Sequence, residues 1–259
     1  NKPLITLIVA NLILMNITPH SNVSEGKKEQ VEKMFNTIAF RYDLLNQLLS
    51  FGIHKRWRKK TIRLLHSQLP TPDSQLILLD VATGTADFAI DACSLNLKKI
   101  IGIDISDEML SIGRKKIERK NLSRIIELTK ADSENLPFPE NHFAAATVGF
   151  GVRNFENLEK GLSEIYRTLQ KGGTLAVLEF SIPEKIPMKQ LYNFYLKNIC
   201  PLLGRIISKN PVAYEYLFKS ASNFPYGEKF KIILLNCGFS KAEIFPQTFG
   251  IVTIYLAKK

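Results

Sequence analysis

Between Leu76 and Phe180 the chain alternates short apolar runs with amphipathic stretches. LILLDVA (76–82) is a run of strand length, apolar but for Asp80, which predicts a strand buried on both faces. ADFAIDACSL then reads as a helix, and KIIGIDIS (99–106) as a second strand. Ser106 is placed to cap the helix DEMLSIGRKKIERK, with Asp107 and Glu108 in its first turn. RIIELTKAD (124–132), HFAAATVGF (142–150) and TLAVLEF (174–180) supply three more strands. A helix over 157–169 precedes the last of these, and Gly172-Gly173 is expected to stop it. This order predicts an α/β fold with a mostly parallel, doubly wound sheet. At the C-terminus GEKFKIILLNCGF reads as a helix. KAEIFPQ and GIVTIYLAKK read as strands joined by TFG, a hairpin that makes the seventh and last strand antiparallel.

The flanks differ. SNVSEGKKEQ (21–30) is polar and reads as a linker, so 1–30 is expected to be a flexible extension. Its start, PLITLIVANLILMNI, is too short to span a bilayer comfortably and has no A-x-A site after it. A flexible extension or start-site artefact is the preferred reading, with a membrane anchor as the alternative. Residues 31–259 are expected to form a single domain, opening with N-terminal helices over 31–72 that Pro70 and Pro72 end. Residues 183–223 break the alternation with aromatic, helix-like sequence and read as an inserted lid.

Charge adds one constraint. The chain has 259 residues, with 35 Lys and Arg against 24 Asp and Glu, a net +11. That balance favours an anionic partner, nucleic acid or lipid headgroups, without choosing between them. Cys93, Cys200 and Cys237 show no paired spacing, and the four histidines form no ligand set, so neither a disulfide framework nor a metal site is expected. A reduced, cytoplasmic setting is the simplest reading.

The turn Ala82-Thr83-Gly84-Thr85-Ala86 follows the first strand and so faces the crevice where doubly wound sheets bind ligands. It holds one glycine, where a dinucleotide fingerprint holds three. Gly84 allows close approach of a ligand, and the next helix offers free N–H groups that suit a carboxylate as well as a phosphate. Asp80 could accept from an ammonium or hold the turn. Asp104, about 20 residues beyond Gly84, suits ribose hydroxyls. Asp132 with Ser133 suits an adenine edge. An amino acid, a ribose and an adenine are the parts of S-adenosylmethionine; a nicotinamide or flavin nucleotide is the competing ligand. Taken singly, each acid could merely cap the next helix.

YDLLNQLLSFGIHKRW (42–57), GFGVRN (149–154) and LEFSIP (178–183), with LDVATGTADF and LPFPENHFAAATVGFG, resemble the ubiquinone/menaquinone biosynthesis C-methyltransferase family, from about residue 30 to the C-terminus. The resemblance implies a class I S-adenosylmethionine-dependent methyltransferase with a Rossmann-like fold. It implies methyl transfer to a ring carbon of a polyprenylated quinol, in menaquinone or ubiquinone biosynthesis. Its cofactor positions fall on Thr85, Asp104, Asp132, Ser133 and Gly149, beside Asp80 and Gly84. Gly149 stands where relatives can carry Ser, and Ala86 where they often carry a second glycine, whose positive φ alanine disfavours.

Arg153 follows the fourth strand, over the expected methyl group, and is assigned to orienting and stabilising a quinolate, with Tyr42 and Asn154 as hydrogen-bond partners. Arg153 could instead pair with Glu179 or Asp80. His54 is the one general-base candidate by type, and a structural histidine beside Trp57 is the preferred reading. HKRWRKKTIR (54–63) is a solvated helix face or a seat for anionic headgroups on the inner face of a membrane. A homodimer or a quinone-biosynthesis assembly is a further partner. Two rival functions stand: a methyltransferase acting on RNA or another small molecule, and a non-catalytic cofactor-binding scaffold. GFGVRN occupies the place of the D/N-P-P-Y/F element of amino-methylating enzymes, which makes nucleic acid the weaker partner.

Overall fold

Seven strands form one sheet in the order β3-β2-β1-β4-β5-β7-β6. They are β1 (Ile77–Val81), β2 (Lys99–Asp104), β3 (Ile126–Lys130), β4 (Phe143–Gly149), β5 (Leu169–Phe180), β6 (Lys241–Gln247) and β7 (Val252–Lys258). Among the described residues the helices are α1 (Lys27–Leu49), α2 (His54–His66), α3 (Asp87–Ala92), α4 (Asp107–Arg119), α5 (Leu158–Thr168), α6 (Met188–Phe194), α7 (Pro211–Asn223) and α8 (Glu228–Asn236). The computed structural model describes residues 17–20, 24–69, 75–195, 198 and 211–259. The apolar run at 1–14, Pro70, Pro72, Cys200 and the middle of 183–223 lie outside the described residues.

The first five strands pair in parallel, and β7 runs antiparallel between β5 and β6, as the hairpin pattern predicts. β1 and β4 are adjacent and buried along almost their whole length. That is why both read as continuous, mainly apolar runs rather than alternating ones. α5 and α8 cover one face of the sheet around Leu162, Ile165 and Phe230. α2 and α3 cover the other around Trp57, Leu65 and Phe88. A third cluster lies apart from the sheet: Val31, Met34 and Ile38 of α1 pack on Met109 of α4 and Tyr216 of α7.

The glycine pair at 172–173 does not stop the preceding helix. α5 ends at Thr168, and β5 starts at once because Leu169 pairs with Phe143. Gly172, at φ +74, then takes up a register shift before Thr174 pairs with Ala145. The polar stretch 21–30 is not all linker either. α1 begins at Lys27, and Lys27 is buried with its Nζ donating to the carbonyls of Arg153 and Phe155 at 3.1 and 2.8 Å.

Candidate active site

From β1 the chain winds to one side through β2 and β3, then crosses back to β4 on the other side. Strand order therefore reverses between β1 and β4, which leaves a crevice at their carboxyl ends. The turn after β1 and the short helical turn Val152–Asn154 after β4 both border it.

Asp80 holds the first turn from beneath. It is fully buried, with Oδ2 accepting from the Thr83 hydroxyl at 2.6 Å and Oδ1 from the Thr147 hydroxyl at 2.7 Å. Burial pushes its carboxyl up to about 6, against the pull of those hydroxyls. Of its two expected roles, this geometry matches the structural one. Gly84 sits at φ +55 with no atom near its missing Cβ, so the backbone is open to a ligand there. Ala86 adopts φ +64, the conformation expected to disfavour alanine. Its methyl is buried beside Gly113, and that packing offsets a backbone cost of roughly 1–2 kcal/mol. The next helix, where an anion seat is expected, has no side-chain cap. α3 is six residues long, and Asp87 in its first turn pairs with Arg58 at 3.3 Å and with Lys116.

Asp104 ends β2 as expected. Its Oδ2 accepts from the Gly84 N–H at 2.8 Å and its Oδ1 from the Ser106 N–H at 2.9 Å. The carboxylate keeps acceptor capacity for a diol beyond these backbone bonds. Burial pushes its carboxyl above the ordinary value, and the backbone N–H groups oppose that. Asp132 lies two residues past the end of β3, where Lys28 reaches it at 2.9 Å. Gly84, Asp104, Asp132, Ser133 and Gly149 line one cavity of about 680 Å³, counted to its mouth. Phe35, Ile105 and Met109 give it apolar walls. A polar acid set on one side and apolar walls on the other suit an adenosine.

Gly149 leaves no gap where a serine would stand. A Cβ built there lies 2.5 Å from the Phe88 ring, so the ring takes the space. Thr85 is not in this cavity. Its hydroxyl donates to Asp43 of α1 at 2.7 Å and accepts from Lys116 at 3.0 Å, which ties α1 to the turn.

A second, larger cleft, about 1320 Å³ with the open solvent at its mouth included, lies alongside. Leu49, Trp57, Phe150, Phe180, Leu217 and Phe218 make it mainly apolar. Arg153 is in its wall, 3% exposed, donating from Nη1 to Glu179 Oε1 at 2.8 Å and to the Phe150 carbonyl at 2.5 Å. The guanidinium lies 5.3 Å from the centre of the Phe180 ring. The anticipated pairing with Glu179 is formed. It does not exhaust the guanidinium, because the buried Nε has no partner. Burial pushes Glu179 above the usual carboxylate range while Arg153 draws it back.

Asn154 accepts from the Tyr216 hydroxyl at 3.2 Å and faces the first cavity. Tyr42 borders both cavities, and burial pushes its hydroxyl above the ordinary value. His54 is buried at the start of α2, in the wall of the second cavity. The Ser50 hydroxyl donates to the Asn46 carbonyl at 2.5 Å, so the 2.5 Å contact between Ser50 Oγ and His54 Nδ1 is a donation from the ring. Burial, with Arg58, holds His54 down to about 4, so it is neutral at pH 7.

Lys27, Lys28, Asp43 and Lys116 were not foreseen as part of the site. All four act through residues distant in the chain, and Lys27 and Lys28 lie in the stretch that read as linker.

The family described as the ubiE/COQ5 methyltransferase family matches residues 23–259. The chain belongs to this family. Among curated relatives, the demethylmenaquinone methyltransferase of Bacteroides fragilis is 46% identical over 245 residues, covering 94% of this chain and 97% of the relative. The ubiquinone/menaquinone biosynthesis C-methyltransferase UbiE of Geotalea daltonii is 38% identical over 235 residues, covering 90% and 97%. Two solved structures share the fold. An S-adenosylmethionine-dependent methyltransferase of Thermotoga maritima superposes with TM-score 0.61 at 20% identity, covering 88% of this chain and 99% of its own. One from Aquifex aeolicus gives 0.51 at 18% identity, covering 77% and 97%. As a member of the ubiE/COQ5 family the chain is an S-adenosylmethionine-dependent C-methyltransferase of class I fold. The acids and apolar walls of the first cavity fit that methyl donor. Among the described residues no helix is long and apolar enough to cross a membrane.

Proposed function

We propose that this methyltransferase methylates a ring carbon of a polyprenylated quinol: demethylmenaquinol, 2-methoxy-6-polyprenyl-1,4-benzoquinol, or both. One observation carries the reading. The acid-lined cavity and the larger apolar one meet at Tyr42, Ala82, Gly84, Gly149 and Phe150, and the two glycines put no side chain between them. A nucleoside with a charged amino acid end suits the first cavity, and a flat ring with an isoprenoid tail suits the second.

Bound in the first cavity, S-adenosylmethionine supplies an electrophilic methyl group. Asp104 holds the ribose diol, Asp132 and Ser133 the adenine edge, and Gly84 and Gly149 let the donor approach. Asp80 and Thr85 act on the turn, from beneath and through α1. A quinol ring carbon becomes nucleophilic when its hydroxyl gives up a proton, and the negative oxygen then needs donors. Arg153 stands in the wall of the apolar cavity, and its guanidinium is such a donor. A guanidinium keeps its own protons, so Arg153 orients and stabilises the quinolate rather than acting as a base. Asn154 and Tyr42, which line the first cavity, are further hydrogen-bonding groups for the quinolate. Alignment of this kind lowers barriers by roughly 7–11 kcal/mol, and donors aimed at a developing oxyanion add to it.

Residues 31–259 act as one domain in this reading, and α6 and α7 shelter the tail. A lipid-tailed substrate places the enzyme at a membrane surface, alone, as a homodimer, or within a quinone-biosynthesis assembly. The test compares demethylmenaquinol with the methoxy-benzoquinol under reducing conditions. Turnover of either supports the reading, their ratio names the preferred ring, and turnover of neither overturns it.

A further inference from the structure

α1 carries an apolar stripe that faces solvent. Phe40, Leu44 and Leu48 recur every four residues, and Phe51 follows three later, so all four lie along one side of the helix and its end. Phe40 is 91% exposed and Phe51 77%. Where α1 turns into α2, Leu191 and Phe194 of α6 are exposed too, and the Tyr195 hydroxyl holds that segment to the Leu49 carbonyl at 2.7 Å. This corner is the rim of the apolar cavity, since Leu49, Ser50, His54 and Tyr195 all line it.

The stripe is followed in the chain by a cationic helix. α2 contains no acid. Lys55 and Lys59 share one side of it, and Arg56, Lys60 and Arg63 the next. All five are exposed, and none has an ion-pair partner among the described residues, whereas Arg58 on the inner side pairs with Asp87 and Asp91. A run of five cations without an acid beside them makes a positive field that attracts an anionic partner. A nucleic acid would satisfy the cations but leave a stripe of Phe and Leu in water. An anionic bilayer accepts both, the apolar side chains in the acyl boundary and the cations on the headgroups.

We propose that the α1 stripe and the outer face of α2 together form a docking surface for an anionic lipid bilayer. It sets the mouth of the apolar cavity against the membrane, so that a tailed substrate enters without crossing water. The surface is argued from exposure and charge alone; its use for substrate entry rests on the quinol reading.

The full chain is floated with phosphatidylcholine vesicles, with and without phosphatidylglycerol, in low and high salt. Methyl transfer is measured separately on a tail-less quinol without vesicles. The protein binds the phosphatidylglycerol vesicles, and salt weakens the binding. Lys55→Gln with Lys59→Gln lowers partition about twenty-five-fold, at roughly fivefold per cation. Phe40→Ser with Phe51→Asn also releases the protein. Turnover of the tail-less quinol is unchanged in both pairs. Equal binding to neutral vesicles, or none to either, overturns the surface. So does an RNA oligonucleotide that binds through the same lysines, or a dimer that Phe40→Ser dissociates. If the wild type binds vesicles and fails to methylate any quinol, the functional reading falls and the surface stands.

Discussion

Arg153 and Glu179 meet at 2.8 Å with both side chains almost wholly withdrawn from solvent. Removing one member of such a buried pair costs about 3–5 kcal/mol, because the other is left charged and alone. The pair fixes the guanidinium at the end of β4 while leaving its Nε free. Arg153→Ala is expected to lower turnover about 10²–10³-fold, the usual effect of losing one oxyanion donor. Cofactor affinity should stay nearly intact, because Arg153 does not line the first cavity. Arg153→Ala/Glu179→Ala, which leaves no orphaned charge, should recover stability in urea melts but not turnover. Recovery of turnover in the double variant would make Arg153 merely structural.

Asp104→Asn tests the cofactor side. A charge-assisted hydrogen bond contributes roughly 1.5–3 kcal/mol, so titration calorimetry should show about tenfold to a hundredfold weaker S-adenosylmethionine. An unchanged affinity would remove Asp104 from the diol.

Gly149→Ser should destabilise the protein by about 1–3 kcal/mol, the range for overpacking, since its Cβ would lie 2.5 Å from Phe88. In a Phe88→Leu background the same change should cost much less. Equal costs in both backgrounds would mean that the ring is not what fills the serine's place.

Asp80 predicts a pH effect. Its folded carboxyl titrates near 6 against an ordinary 3.8, so between those values the folded state holds a proton the unfolded state has released. Stability therefore falls as pH rises through this window, by on the order of 3 kcal/mol. Asp80→Asn lacks that loss, so its stability relative to wild type should improve from pH 4 to pH 6 and level off above. A difference flat across the window would contradict the buried, proton-holding carboxyl.

The sheet was legible because its signals are local. Continuous, mainly apolar strands, Ser106 at a helix start and a short TFG between two strands each state their structure within a few residues. The strand-end acids were legible for the same reason, as the fold fixes where strand ends point. What was not legible depends on partners far along the chain. Lys27 looks like linker until the Arg153 and Phe155 carbonyls, more than 120 residues away, accept from it. Gly149 looks like a lost hydroxyl until Phe88 fills the space. Arg153 fits both a catalytic role and an ion pair by sequence, and the structure forms the ion pair with a donor to spare.

The central claim is tested by one labelled reaction. The protein is incubated with S-adenosylmethionine carrying a ¹³C methyl group and with demethylmenaquinol under reducing conditions, and the product is read by NMR. The account predicts one labelled methyl on the unsubstituted ring carbon, and none when the ring is kept oxidised. Label on a ring oxygen, or bound donor with no transfer to the reduced ring, would contradict it.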